Sequence, residues 1–222
     1  MTPMELMKSR HSVRKYLKKP IDPKTLACLQ AKVIELNHQS GLQMQLVTNE
    51  PKAYQGILAK YGGFQNVQNY LAIIGKDDEI FDLKAGWFGQ EFVLYAQELG
   101  LNSCWVGATF KKVHTVLHIG QGEKLGLVIA FGYGATQGTP HKSKSITQVS
   151  NATSSSPAWF MAGVKAALLA PTALNQQKFY FELKPDDKVV PITKKGPFTQ
   201  LDLGIAMYQF ELAAGKDNFT WD

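Results

Sequence analysis

The sequence predicts a layered fold of mixed helices and strands, either α+β or α/β. Stretches with the 3.6-residue periodicity of amphipathic helices are interleaved with short apolar runs typical of strands. A chain of 222 residues with 45% hydrophobic residues is long enough for one domain, or two small ones, with a full core. The spacing of the strands alone does not decide between parallel and antiparallel pairing.

Local start and stop signals define the elements of the first half of the chain. Pro3 is tolerated in a first helical turn, and Asp22-Pro23 is a typical helix start. Gly62-Gly63 ends one helix and Gly100 ends another. In order, we predict a helix from Pro3 to about Arg10, a helix at 23–38, a strand at 42–47, a helix at 49–60, a strand at 70–75, a helix at 83–100, a strand at 103–107 and a helix at 110–118.

The second half begins with a strong strand and a long polar segment. Residues 124–133 are rich in apolar side chains, whereas 137–156 are rich in Ser, Thr and Gly, which predicts a loop or linker. Ser156-Pro157 then begins a helix that reaches about Leu169. Two strands at 179–183 and 189–192 and a helix at 198–215 complete the prediction.

Composition and charge narrow the possible partners and location. The net charge of +6 comes from scattered basic residues, which indicates a solvated surface with a local site for an anionic ligand rather than nucleic-acid binding. Cys28 and Cys104 lie in apolar contexts and are expected to be two buried thiols rather than a disulfide. The N-terminus has no apolar core of signal-peptide length, and no apolar stretch is long enough to span a bilayer. We therefore predict a cytoplasmic protein.

Two stretches of the chain resemble each other. The helix-then-strand order at 23–47 matches that at 158–183. Gly89, Tyr95 and Gly100 align with Gly204, Phe210 and Gly215, and one inserted residue brings Trp105 onto Trp221. These matches predict two repeated units, roughly 1–118 and 155–222, packed as a pseudo-dimer. The helices at 83–100 and 198–215 would then be related by a pseudo-twofold axis; the alternative is chance similarity between two amphipathic helices.

Two polar segments near opposite ends of the chain are the best candidates for chemistry. Residues 10–14, Arg-His-Ser-Val-Arg, offer two guanidiniums and a hydroxyl, which are donors suited to phosphate oxygens. The helix before Pro171 must end at Ala170, because proline disfavours helical geometry in the preceding residue. The backbone there and the side chains of Thr172 and Asn175 are then able to face a ligand. Either segment alone is more typical of an ordinary helix end or turn than of a ligand site.

Taken together, these segments resemble the two halves of the FMN site of flavin-dependent nitroreductases. The family pattern Arg-x-Ser-x-Arg is matched by Arg10, Ser12 and Arg14, and Pro-Ser-x-x-Asn-x-Gln is matched by Pro171, Thr172, Asn175 and Gln177. Further matches are Leu-Gly-Leu with Ser-x-Trp-x-Gly at 99–107, and Gly-Tyr with a basic pair at Gly132, Tyr133, Lys142 and Lys144. The resemblance covers most of the chain and is strongest to the single-chain, two-lobed subgroup.

The resemblance implies a fold, a cofactor and partners. The fold would be α+β, with mostly antiparallel sheets flanked by helices in an internal pseudo-dimer of lobes 1–150 and 151–222. The protein would bind FMN, take reducing equivalents from NAD(P)H, and pass them by a ping-pong mechanism to a nitroaromatic, a quinone or a similar small acceptor. No nucleic-acid or membrane partner is implied, and the protein would be a monomer or a homodimer.

The resemblance also implies roles for individual residues. Arg10, Ser12 and Arg14, with the adjacent His11, would hold the phosphate and ribityl chain, and Lys142 and Lys144 would add positive charge at the phosphate. Pro171, Thr172, Ala173 and Asn175, with Gln177 of the same motif, would line the isoalloxazine edge. Backbone groups of Trp105, Val106 and Gly107 would reach the pyrimidine side of the ring. No residue is expected to act as a catalytic acid or base or as a metal ligand.

Departures from the family pattern leave alternatives open. Residues 37–41, Asn-His-Gln-Ser-Gly, occupy the place where ordinary members carry the proline-asparagine motif. Lys178 and Phe179 replace the usual Pro-Trp after the glutamine, so the stacking or packing role of that Trp is in doubt. One competent site and one degenerate site are therefore expected. A flavin-binding protein that acts in storage or sensing, and an interaction domain that has lost its flavin, are the alternatives to an enzyme.

Overall fold

The chain forms two compact units in a computed structural model that describes residues 1–55, 57–113 and 116–222, including every side chain except those of Leu58 and Lys60. The C-terminal unit comprises Met1–Ser9, Asp82–Glu91 and Pro140–Asp222, and the N-terminal unit comprises Arg10–Phe81 and Phe92–Thr139. These units are groups of residues that pack together. The lobes 1–150 and 151–222 are predicted from an internal repeat and not from packing, and that division stays a prediction.

Helices are mixed with mostly antiparallel strands, which confirms the predicted α+β class. The α-helices are α1 Pro3–Ser9, α2 Pro23–Ser40, α3 Ile57–Tyr61, α4 Phe81–Glu98, α5 Ile146–Val149, α6 Ala158–Ala167 and α7 Thr199–Ala214. The strands are β1 Gln45–Val47, β2 Asn69–Lys76, β3 Asn102–Val106, β4 Glu123–Gly132, β5 Phe179–Lys184, β6 Lys188–Thr193 and β7 Thr220–Trp221. Among the described residues, no helix has the length and apolar character needed to cross a membrane.

The N-terminal unit is built on a four-stranded antiparallel sheet in the order β1-β2-β4-β3. All but the last residue of β2 are buried, as expected for a central strand covered on both faces. Its ladder with β4 runs from Asn69 opposite Phe131 to Lys76 opposite Glu123, with an irregularity between Ile73 and Ile74. Strand β3 lies at one edge of this sheet, and this edge carries one of the predicted site segments.

Helix α2 begins at Pro23, as the sequence predicts, and ends at Ser40, two residues beyond the predicted end at 38. The carboxylate of Asp22 accepts a hydrogen bond from Thr25 N at 2.9 Å, and Pro23 occupies the first turn. Gly41 ends the helix with a left-handed φ of 72°, and its N–H donates to Asn37 O. A side chain at position 41 would meet open space but would have to adopt that strained conformation.

The C-terminal unit contains a small sheet in the order β5-β6-β7 and an aromatic core. Strands β5 and β6 pair antiparallel, whereas β6 and the two-residue β7 pair parallel. Helices α6 and α7 pack together so closely that a Cβ on Gly163 would lie 2.7 Å from the ring of Phe210. Aromatic rings surround Phe210: Phe160, Phe181, Phe219 and Trp221.

Within the C-terminal unit, α4 and α7 cross with their backbones in contact. A Cβ on Gly86 would meet the carbonyl oxygen of Leu201 and lie 2.9 Å from Ile205 N. A Cβ on Gly204 would meet the carbonyl oxygen of Leu83 and lie 3.0 Å from Trp87 N. The contacts are reciprocal, as a local two-fold relation between the helices requires. In the structure the counterpart of Gly204 is therefore Gly86. The sequence alignment instead pairs Gly204 with Gly89, three residues further along α4.

Three predicted segments differ from the structure. The helix predicted at 49–60 is a 3-10 turn at Lys52–Tyr54 followed by the short α3, with Gly56 outside the described residues. The helix predicted at 110–118 is wrong for its described residues, which are not helical; His114 and Thr115 lie outside them. The predicted loop at 137–156 contains α5, which begins with a capping box between Ser145 and Gln148.

Candidate functional site

The Arg-x-Ser-x-Arg segment lies against the edge strand β3 in the N-terminal unit. Val13 N donates a hydrogen bond to Ser103 O at 3.0 Å, and Ser12 forms a parallel bridge with Ser103. The ring of Tyr16 reaches back, and its hydroxyl donates to Val13 O at 2.7 Å. This pairing fixes the backbone of the segment. The structure thereby brings together two of the predicted sets, residues 10–14 and the start of the strand that carries Trp105 and Val106.

Arg10 is the most unusual residue of this segment. Its side chain is 3% exposed, and its Nε and Nη1 atoms have no hydrogen-bond partner in the described structure. Burial lowers the pKa of the guanidinium to about 10. A buried cation with two unsatisfied donors is costly, because burial removes its hydration and these donors gain no hydrogen bonds in exchange. The geometry therefore fits an anion that would satisfy these two donors.

The neighbours of Arg10 add a hydroxyl, a thiol and a second cation. Ser12 is half-buried and Arg14 is exposed. Burial raises the pKa of the Cys104 thiol, while Arg14, a hydrogen bond with Ser12, and Arg10 oppose that shift. Cys104 is therefore a neutral, inert neighbour rather than a nucleophile. Sequence reasoning found Arg10, Ser12 and Arg14 but not Cys104, whose apolar context indicates only burial.

The remaining predicted residues of the N-terminal unit flank this cluster. Trp105 is half-buried and Val106 is buried in β3, where they pair with Ile129 and Val128, and Gly107 follows the strand as an exposed residue. His11 is half-buried, and a Cβ on Gly138 would lie 2.7 Å from its Cβ. Gly138 has a left-handed φ of 72°, so glycine meets both the backbone and the packing requirement at this close approach.

The second predicted motif forms a tightly folded segment, residues 171–177, in the C-terminal unit. It contains a 3-10 turn at Ala173–Asn175, and Leu174, Asn175 and Gln177 have left-handed φ angles of 52°, 54° and 44°. The hydroxyl of Thr172 accepts a hydrogen bond from Gln177 N at 3.1 Å, which closes the segment on itself. Leu174 at its tip is 99% exposed. Three left-handed residues within four positions are unfavourable and require support from outside the segment.

Residues 141–144 supply part of that support. Lys142 O accepts hydrogen bonds from Asn175 Nδ2 at 2.9 Å and Gln177 Nε2 at 2.8 Å. The ammonium of Lys144 donates to Gln176 O at 2.9 Å and Gln177 O at 2.7 Å. The structure thus brings the predicted basic pair and the predicted motif together. In this arrangement the amides of Asn175 and Gln177 and the ammonium of Lys144 hold the segment, whereas the side chain of Lys142 is exposed.

Asp202 in the first turn of α7 supplies the rest of that support, and sequence reasoning missed it. Its carboxylate accepts hydrogen bonds from Ala173 N at 2.9 Å and Gln176 Nε2 at 2.7 Å. The side chain is 2% exposed, and burial raises the pKa of the carboxyl to about 6 despite these hydrogen bonds. An Asp in a first helical turn is ordinary in sequence, so no local signal distinguishes it.

Residues 37–41, where the sequence predicts a degenerate site, form no such turn. Asn37 exchanges two hydrogen bonds with the backbone of Met44, with its amide donating at 2.9 Å and its oxygen accepting at 2.8 Å. The hydroxyl of Ser40 donates to Leu36 O and accepts from Leu42 N. These residues use their polar groups to end α2 and enter β1. Residues 37–41 therefore have a structural explanation that needs no ligand.

Comparison with known proteins gives consistent matches. Residues 2–214 match the family described as "Putative TM nitroreductase". No curated protein matches the sequence. The fold is similar to that of a putative nitroreductase from Thermotoga maritima, with 19% identity and a TM-score of 0.67 over 98% of this chain and 85% of that one.

Two further solved structures share the fold over a smaller part of the chain. One is described as a putative NADH dehydrogenase/NAD(P)H nitroreductase from Bacteroides thetaiotaomicron, with 19% identity and a TM-score of 0.52 over 66% of this chain and 95% of that one. The other is a putative nitroreductase in complex with FMN from Desulfovibrio desulfuricans, with 19% identity and a TM-score of 0.52 over 66% of this chain and 94% of that one.

Proposed function

Because the match over residues 2–214 shows that the chain belongs to the "Putative TM nitroreductase" family, we propose that it is an FMN-dependent oxidoreductase. It would take reducing equivalents from NAD(P)H and pass them to a nitroaromatic, a quinone or a similar small acceptor. The names of two structural relatives support the cofactor and the reductant, since one is in complex with FMN and the other is called an NAD(P)H nitroreductase.

The observation that carries the proposal is the buried guanidinium of Arg10. Two of its nitrogen atoms have no partner among the described residues, and the phosphate of FMN offers anionic oxygens that would accept from them. Ser12 and Arg14 lie on the same paired segment and would add a hydroxyl and a second cation. Each charge-assisted hydrogen bond contributes about 1.5–3 kcal/mol, so these residues would account for much of the affinity.

The 171–177 segment and its neighbours would act on the ring edge of the flavin. Pro171, Thr172, Ala173 and Asn175 would line that edge with a backbone held fixed by hydrogen bonds. The exposed Lys142 would add positive charge at the phosphate. Backbone groups of Trp105, Val106 and Gly107 would serve the pyrimidine side. When bound, FMN supplies the hydride chemistry itself, and the residues supply binding and orientation. No side chain needs to transfer a proton, and the reductant and acceptor would occupy one position in turn, which is a ping-pong order.

A visible absorption spectrum of the purified protein, after FMN is added and unbound dye is removed, tests the cofactor. We expect flavin bands at one flavin per chain and loss of binding by about ten-fold or more in Arg10→Ala. Equal losses in Arg10→Ala and Asn175→Ala would indicate that both clusters serve the same flavin. Two flavins per chain would show that residues 37–41 do not mark a degenerate site, and no bound flavin would refute the oxidoreductase.

Turnover separates the enzyme from a flavin-binding protein that acts in storage or sensing. The enzyme would oxidise NADH or NADPH steadily in the presence of a quinone. Flavin that is bound but not reduced within seconds would favour the storage or sensing protein. The cytoplasmic location and the state as monomer or homodimer belong to the same proposal, and cell fractionation and sedimentation would test them.

A further inference from the structure

We propose that Asp202 is a positioning residue that sets the conformation of the 171–177 segment for ligand binding. The inference rests on the proposed function, since it names the group that prepares one part of the flavin site. Asp202 would touch neither substrate nor cofactor and would act through the segment.

The contacts of Asp202 bracket the strained part of the segment. One carboxylate oxygen accepts from Ala173 N at 2.9 Å and the other accepts from Gln176 Nε2 at 2.7 Å. Between these two points lie Leu174 and Asn175, both with left-handed φ angles. A carboxylate that holds both ends of the turn offsets the strain of the residues between them.

A cation, the ammonium of Lys144, also binds the segment. The ammonium of Lys144 donates to the carbonyls of Gln176 and Gln177, while the carboxylate of Asp202 accepts from an N–H and an amide. Each charge thus meets polar groups of complementary polarity. Both charges bind Gln176, but only Asp202 binds Ala173, so Lys144 does not replace the contact of Asp202 with Ala173.

The carboxylate itself stands on a rigid support. Asp202 N donates to Phe198 O at 2.8 Å, and Gly204, two residues further along α7, packs against the backbone of Leu83 and Trp87. A side chain held by a fixed helix transmits that fixed position to the segment it binds. Sites that must meet a ligand in one geometry need this second layer of support.

Asparagine at this position cannot reproduce both contacts. Its oxygen can accept from Ala173 N, but its amide nitrogen then faces the amide nitrogen of Gln176. Gln176 cannot simply turn its amide over, because its Nε2 also donates to Pro197 O at 3.0 Å. Asp202→Asn therefore keeps the volume of the side chain and loses one of the two restraints.

The test compares Asp202→Asn, Gln176→Ala and the control Asp217→Asn, which changes an exposed acid of the same unit. We expect the Kd for FMN to rise about ten-fold in Asp202→Asn, about three-fold in Gln176→Ala and not at all in the control. The double variant Asp202→Asn/Gln176→Ala should bind FMN no worse than Asp202→Asn alone, because both changes break the same hydrogen bond.

Amide hydrogen exchange of the flavin-free protein separates positioning from general stability. Exchange in residues 172–177 should rise about ten-fold in Asp202→Asn, with exchange in β2 and β4 unchanged. Unchanged exchange and an unchanged Kd, or a loss of affinity accompanied by faster exchange throughout the C-terminal unit, would overturn the inference. If Asp202→Asn does not fold, Gln176→Ala decides by the same criteria. If the wild-type protein binds no FMN, the proposed function fails, and the exchange data still show whether Asp202 orders the segment.

Discussion

The backbone crossing of α4 and α7 predicts that alanine at Gly86 or Gly204 destabilises the protein. At an ordinary position inside a helix, Gly→Ala stabilises by about 0.5–1 kcal/mol, because alanine loses less conformational freedom. At this crossing the new methyl group meets a carbonyl oxygen of the facing helix, and a backbone atom cannot move aside by changing rotamer. Overpacking costs about 1–3 kcal/mol, and the helix gain of about 0.5–1 kcal/mol is subtracted from it, so we expect a net loss of about 1–2 kcal/mol in either single variant.

The reciprocal geometry makes the double variant the sharper test. Both methyl groups push the same two helices apart, so the second substitution acts on a crossing that the first has already opened. The two losses should then sum to more than the loss of the double variant, by at least about 0.5 kcal/mol. Urea unfolding followed by far-ultraviolet circular dichroism measures all three, provided that the slope with denaturant stays constant.

A matched control is Gly120→Ala, whose methyl group would meet only the end of the Glu123 side chain. We expect that variant to change stability by less than about 0.5 kcal/mol. Single variants at the crossing that are neutral or more stable than the wild type would refute the backbone contact. Strictly additive losses would refute the reciprocal arrangement while leaving the contact itself in place.

Three further predictions concern charges and caps. Arg10→Met should raise the unfolding free energy of the flavin-free protein by about 1–4 kcal/mol, because it removes a buried cation that has two donors without partners among the described residues. The same variant should weaken FMN binding at least about ten-fold. Thermal unfolding measures the first effect and FMN titration measures the second. Burial raises the pKa of the Asp202 carboxyl to about 6. Between about pH 4 and 6 the folded protein therefore holds a proton that the unfolded chain has released. The free energy of unfolding should fall by up to about 3 kcal/mol as pH rises through that interval. Urea unfolding at several pH values should show that this fall in unfolding free energy is absent in Asp202→Asn. The same fall in that variant would contradict the assignment of the proton to Asp202. Asn37→Ala should cost about 1–2 kcal/mol by releasing the backbone of Met44, with FMN affinity unchanged, and a loss of affinity would mean that residues 37–41 take part in binding.

Helices with local caps are the elements that the sequence predicts best. The start of α2 follows from Asp22 and Pro23, and the capping hydrogen bond of Asp22 with Thr25 N lies within the first turn. Residues 49–60 failed as one helix because Glu50 directs its carboxylate to Lys52 N and Ala53 N, which favours a tight 3-10 turn instead. The parallel pair β6–β7 was missed because two residues carry no periodicity.

The candidate site was predictable to the extent that its residues form local patterns. Residues 10–14 and 171–177 stand out because their members are close together in sequence. Asp202 does not, since its partner Ala173 lies 29 residues away and the contact exists only after folding. For Asn175 and Gln177 the motif identifies the residues but not their contacts. The structure shows that the side-chain amides of both donate to Lys142 O.

Arg10 and Asp202 show how burial of charge distinguishes a ligand-binding group from a supporting group. Both side chains are almost fully buried, and both have a pKa shifted by burial toward the neutral form. Asp202 has two hydrogen-bond donors from its own chain, so part of its cost is offset within the folded protein. Arg10 has two donor atoms without partners among the described residues, so an anion that binds them would offset its cost. A ligand that supplies that anion therefore stabilises the folded state, by about 2.7 kcal/mol at a concentration one hundred times its Kd. On this reasoning, Arg10 makes the stability of the chain depend on its ligand, whereas Asp202 prepares its segment whether or not the ligand is bound.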